Sequence, residues 1–182
     1  MLIDKTAFIA GVLDSGYTAT LFCRPRCFGK TLNMTIMKAY FEAPPAGLAD
    51  PGLFEGPIFG RWAAAPTGST SPRTPVIYLS MRTAKGDTWE QAYGALKDML
   101  AVEFSRHSYL FESSALPDRD EAAVIALAFG TPLESDYAGS LLYLARLLRA
   151  HHGRHVVLLI DEHDASVMAG YSARAAVAVV RM

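Results

Sequence analysis

Two short stretches of this 182-residue chain carry side chains whose types and spacing suit phosphate chemistry. The first is Gly29-Lys30-Thr31. A glycine, a lysine and a hydroxyl residue between a strand and a helix can cradle phosphate. The N–H groups at the start of the helix point at the anion, and the helix dipole favours negative charge there. Lys30 can reach the β- and γ-phosphates, and the Thr31 hydroxyl can ligate Mg²⁺. The second stretch is Asp161-Glu162, which ends an apolar run and is followed by Asp164. An aspartate in that place can hold a magnesium shell, and the next glutamate can polarise an attacking water.

The loop before Lys30 departs from the usual G-x-x-x-x-G-K-[ST] spacing. The first glycine falls on Arg24, and Pro25 has no backbone N–H to offer. Arg24 and Arg26 can supply charge where backbone donors are lost, because the guanidinium fork fits phosphate. A bare Gly-Lys-Thr is often an ordinary helix start, and an acidic turn after a strand is common. Both together, each in its strand context, are harder to obtain by chance. A GTPase would need a glycine soon after Asp161 and an Asn-Lys-x-Asp base reader, and the sequence has neither. Asp161-Glu162-His163-Asp164 also looks like a helicase acidic box, but Arg24–Thr31 is not the usual helicase loop.

The elements that must position these residues follow from periodicity. Apolar spacing predicts a helix over residues 6–14, closed by Gly16. Tyr17–Cys23 is rich in β-branched and aromatic residues and predicts a strand. Helical spacing returns from Thr31 to Glu42 and stops at Pro44-Pro45. Residues 43–74 predict a loop. Pro75–Met81 predicts a second strand, buried on both faces. Asp87-Thr88-Trp89-Glu90 suggests a capping box for a helix running to about Arg106, with Trp89, Tyr93, Leu96, Leu100 and Phe104 on one face. Short helical spacing covers 119–129, and a stronger helix covers Ser135–His152, closed by Gly153. His155–Asp161 predicts the third strand. Strands separated by helices imply an α/β fold with a mainly parallel sheet flanked by helices. Ligands bind such sheets at the carboxyl ends of their strands, where both motifs fall.

Composition narrows the class. Hydrophobic residues make up 51% and charged residues 19%, a balance that buries a core. The formal charge is −1, from 17 basic and 18 acidic side chains, which argues against a generally basic nucleic-acid binder. Two cysteines cannot build a disulfide framework, and with no secretory layout the expected setting is cytoplasmic. No apolar run approaches the ~20 residues of a membrane span. His151, His152 and His155 sit by a helix end, where the dipole favours them, and are expected to be structural. Trp62 and Trp89 are expected to be packing anchors. Cys23 and Cys27 lack the further ligands of a zinc site.

With these residues in place, the sequence resembles the bacterial AAA-ATPase-like family, whose members often carry a C-terminal restriction-endonuclease-like nuclease domain. The matching pieces are Asp4-Lys5-Thr6, RPRCFGKT at 24–31, AYFE at 39–42, LFEG at 53–56, PVIYLSM at 75–81 and LLIDEHDA at 158–165. The resemblance implies a P-loop ATPase-like fold, with ATP and Mg²⁺ as ligands. It places Arg24, Arg26, Gly29, Lys30 and Thr31 at the nucleotide. It places Thr31 and Asp161 at the metal, and Glu162 with Lys30 at the chemistry. In this family an arginine at position 24 is usual. Two departures are Cys27, where a second arginine is usual, and His163, where a tyrosine is usual. The expected unit is one domain over residues 1–182, the front portion of a larger ATPase domain. About three core strands are expected, with the later strands and any nuclease domain outside it. The expected function is ATP binding with Mg²⁺-dependent hydrolysis in the complete protein. The alternatives are a nucleotide-binding regulatory or interaction module without turnover, and an inactive fragment.

Overall fold

The computed structural model describes residues 7–23, 28–42, 74–84, 86, 88–113, 124–128, 137 and 139–162. In chain order these form α1 (Ala7–Asp14), α2 (Lys30–Phe41), β1 (Val76–Ser80), α3 (Trp89–Arg106), a 3₁₀ turn (Ser108–Glu112), α4 (Ser140–His152) and β2 (Val157–Asp161). Residues 124–128 are also helical. The chain divides into two units, Met1–Val76 with Arg154–Val157, and Ile77–Gly153 with Leu158–Met182. Among the described residues no helix is long and apolar enough to cross a membrane.

The fold is mixed α/β, with a small parallel sheet of β1 and β2. Val157 N–H donates to Pro75 O, and Met81 N–H donates to Asp161 O, each at 2.9 Å. Both strands advance together between these bonds, so the pairing is parallel and Asp161 lies opposite Ser80. Val76, Ile77 and Leu79 of β1 are buried, as its unbroken apolar character demands.

In the first unit, Ile9 of α1 and Met37, Tyr40 and Phe41 of α2 are buried. Gly16 ends α1 at φ 66°, a left-handed conformation that glycine adopts without strain. In the second unit, the buried face of α3 carries Leu100 and Phe104, and that of α4 carries Leu144, Leu147 and Leu148. Gly153 closes α4 at φ 63°, and its N–H donates to Arg149 O at 2.9 Å. Thr88 caps α3, accepting from Gln91 N–H at 3.3 Å. The capping box therefore sits one residue later than Asp87-Glu90, because Thr88 holds the capping geometry and Gln91 is its third-position partner. Gly86 is required by close approach: a Cβ there would lie 2.5 Å from Gln91 Cβ.

One expected strand is absent. Tyr17–Cys23 is not a strand, and Tyr17 and Leu21 are 77% and 67% exposed. β-propensity reports a fit to a pleated, half-buried surface, and a strand also needs a neighbour to take up its backbone N–H and C=O groups. Here Phe22 turns back onto Phe8 of α1, ring centroids 4.6 Å apart. The described residues thus hold two strands where three were expected. The expected loop at 43–74 falls almost wholly outside the described residues. Of the 119–129 helix, 124–128 is described.

On the edge of β1 away from β2, the Tyr78 N–H is met by a carboxylate. Tyr78 N–H donates to Glu103 Oε1 at 2.8 Å. Glu103 is only 4% exposed and also accepts from Arg106, through Nε at 3.0 Å and through Nη2. His107 Nε2 stands 3.4 Å from the same Oε1. Burial pushes the carboxyl up, but His107, Arg106 and the Tyr78 N–H outweigh it and hold it below the ordinary glutamate range. A group with a lowered folded value stabilises fully above its unfolded value, ~4.3, and loses that contribution as pH falls through the folded one. Glu103→Ala should therefore cost about 3 kcal/mol in urea melts at pH 7, because it strands Arg106 and an edge N–H. The gap between wild type and Glu103→Gln should narrow as pH falls below ~4. A gap that stays constant with pH would contradict an ionised clamp.

Candidate functional site

The first set of candidate residues opens α2. Gly29 sits at φ 75°, ψ 27°, in the left-handed region, and has no side chain to cap the helix. Its carbonyl accepts from Asn33 N–H at 2.9 Å, so the first helical bond is already made. The N–H groups of the first turn have no partner within a helix, and a left-handed residue beside them favours a concave cluster of N–H groups that suits anions. Phe28, just before, is exposed, as is Thr31, and Lys30 is half-buried. The Thr31 carbonyl accepts from Thr35 Oγ1 at 2.9 Å. Helix α2 starts at Lys30, one residue before the position expected from periodicity. Arg24, Arg26 and Cys27 lie outside the described residues.

The second set ends β2. Asp161 is the last residue of the strand and is 3% exposed. Its Oδ1 accepts from Glu162 N–H at 3.0 Å, a local bond that fixes the carboxylate against its own backbone. Glu162 has φ 51°, and is the one non-glycine residue at positive φ among those described. A glutamate in the left-handed region is strained by roughly 1–2 kcal/mol, and such strain gathers where a side chain must be presented in a set direction. The acidic pair is thus a sharply turned strand end and not an ordinary solvated turn. His163 and Asp164 lie outside the described residues.

Gly29, Lys30 and Thr31 belong to the first unit, and Asp161 and Glu162 to the second. The expected route that joined the two sets through a strand at Tyr17–Cys23 is not present. A family model described as predicted AAA-ATPase matches residues 1–181. The chain belongs to the AAA-ATPase-like family. That membership gives it a nucleotide-binding, ATPase-like role at the level of the family. Neither the curated proteins nor the solved structures contain a match to the chain.

Two of the histidines singled out by sequence have plain packing roles. Tyr109 Oη lies 2.9 Å from His152 Nε2 and 3.1 Å from His107 Nδ1, and Ser113 Oγ lies 2.6 Å from His151 Nδ1. These bonds tie the end of α4 to the 3₁₀ turn, so His151 and His152 are structural. Trp89, expected to be a packing anchor, is instead exposed; it stacks on Tyr93, ring centroids 5.3 Å apart, and Lys97 Nζ lies 4.9 Å over the Tyr93 ring. Glu103 and Asn33 were missed by sequence reading. Glu103 does leave a trace, an acid three residues after Leu100 and beside Phe104 on an apolar face.

The strain at Glu162 is testable by itself. Glu162→Gly should raise thermal stability by up to ~1 kcal/mol, since glycine adopts positive φ at no steric cost, less its extra unfolded-state entropy. A lower melting temperature for this variant would mean that the left-handed turn is not strained.

Proposed function

We propose that this chain binds ATP at the start of α2 and, with Mg²⁺, hydrolyses it in the complete protein. The single observation that carries this reading is Gly29-Lys30-Thr31 opening α2 with the glycine left-handed and no side-chain cap. Lys30 neutralises charge on the β- and γ-phosphates. Arg24 and Arg26 add guanidinium contacts to the phosphates. Thr31 and Asp161 offer hydroxyl and carboxylate oxygens, hard donors that fit Mg²⁺ and not a thiophilic metal. Bound Mg²⁺ would supply charge neutralisation at the phosphates. Glu162, held in its turned conformation, orients the attacking water and accepts its proton.

A second reading is nucleotide binding without turnover, acting as a regulatory module. Pro25, with no N–H to give, and Cys27, without the usual positive charge, favour it. One measurement tests the nucleotide site that both readings share, and a second separates them. A fluorescent ATP analogue should bind wild type and lose at least about tenfold in affinity with Lys30→Ala, the loss of a charge-assisted contact. Equal binding by both proteins would remove the nucleotide site. Phosphate release should fall at least ~100-fold with Glu162→Gln while binding persists. Equal release by both would leave the regulatory reading.

A further inference from the structure

A buried acceptor without a donor is costly, and native structures keep one only where something else requires it. Asn33 Oδ1 is such an atom: it is buried and has no hydrogen-bond partner. Its residue lies in the first turn of α2, with its N–H already bonded to Gly29 O. Lys30 and Asn33 are three residues apart, so they share one face of the helix. Side chains in a helix lean toward its N-terminus, which carries both toward the glycine.

The acceptor needs an N–H or O–H donor. Ionised phosphate oxygens are acceptors only, so they cannot satisfy it directly. An ammonium carries three donors and accepts nothing. Two of the three suffice for the β- and γ-phosphate oxygens, which leaves one.

We propose that Asn33 is a positioning residue for Lys30, its buried Oδ1 accepting the ammonium's third N–H when a nucleotide's phosphates draw that ammonium over the start of α2. This rests on the ATP reading above. It also gives the unsatisfied atom a reason to persist: Asn33 is kept for the bound state at the expense of the free one.

The test is a double-mutant cycle on the full chain, read by thermal melting and by affinity for a fluorescent ATP analogue. Asn33→Leu is close in size and removes the orphan acceptor. It should melt at or above the wild-type temperature yet bind the analogue about tenfold more weakly, as for loss of a hydrogen bond to a charged group. In a Lys30→Ala background the same change should cost no further affinity. A merely structural asparagine would give the opposite pattern, a lower melting temperature and an equal loss in both backgrounds. Unchanged affinity in Asn33→Leu, or the same fold-loss with and without Lys30, overturns the proposal. Should Asn33→Leu not fold, Asn33→Ala takes its place in the same cycle. If Lys30→Ala itself binds as wild type does, the ATP reading fails and this proposal fails with it. If Lys30→Ala weakens binding and Asn33→Leu does not, only the role of Asn33 is lost.

Discussion

The parallel pairing of Val76–Ser80 with Val157–Asp161 is the constraint on which the acidic end of the molecule depends. A parallel ladder fixes both strands in register, and its last bond, Met81 N–H to Asp161 O, falls on the residue proposed to hold magnesium. Slipping by one residue would turn Asp161 to the other face and expose Leu159 in place of Leu158. The burial of Leu159 and Asp161 on the same face makes that slip costly. The position of the carboxylate is therefore a consequence of backbone pairing, and its Oδ1 accepts from the N–H of the turned Glu162.

One N–H on the far side of the ladder is taken up by a side chain. A strand with an open edge invites further pairing, and Glu103 answers this with a carboxylate placed against Tyr78 N–H. The buried charge is offset by the Arg106 guanidinium and the Tyr78 N–H, with His107 beside them. This arrangement links α3 to β1 by a group that is neither apolar nor in the sheet. The same logic, a buried polar atom that must find its partner, holds for Glu103 and for Asn33 with opposite outcomes. Glu103 has its donors within the chain, while Asn33 Oδ1 has none.

Much of this was legible in the sequence wherever one element's own pattern decided the matter. The end of α3 at Arg106, the closure of α4 at Gly153 and the end of β2 at Asp161 were all read from apolar spacing and a glycine stop. Tyr17–Cys23 was misread because its residues favour strands while pairing depends on a neighbour that the segment's own composition does not reveal. The cap at Thr88 was displaced by one residue because two overlapping patterns, Asp87-Glu90 and Thr88-Gln91, fit the same start. Gly29-Lys30-Thr31 and Asp161-Glu162 were legible as residues. The left-handed Gly29, the strained Glu162 and the orphan Oδ1 of Asn33 were not, since backbone strain and burial are properties of the fold.

The central proposal is that Gly29-Lys30-Thr31 and Asp161-Glu162 each take part in binding magnesium nucleotide. Calorimetric titration of the chain with ATP, with and without Mg²⁺, tests it most directly when Asp161→Asn is run beside wild type. Mg²⁺ should tighten binding at least about tenfold in wild type, and Asp161→Asn should lose most of this gain while still binding ATP alone. A Mg²⁺ effect of the same size in both proteins would contradict that proposal, as would ATP binding that ignores Mg²⁺ altogether.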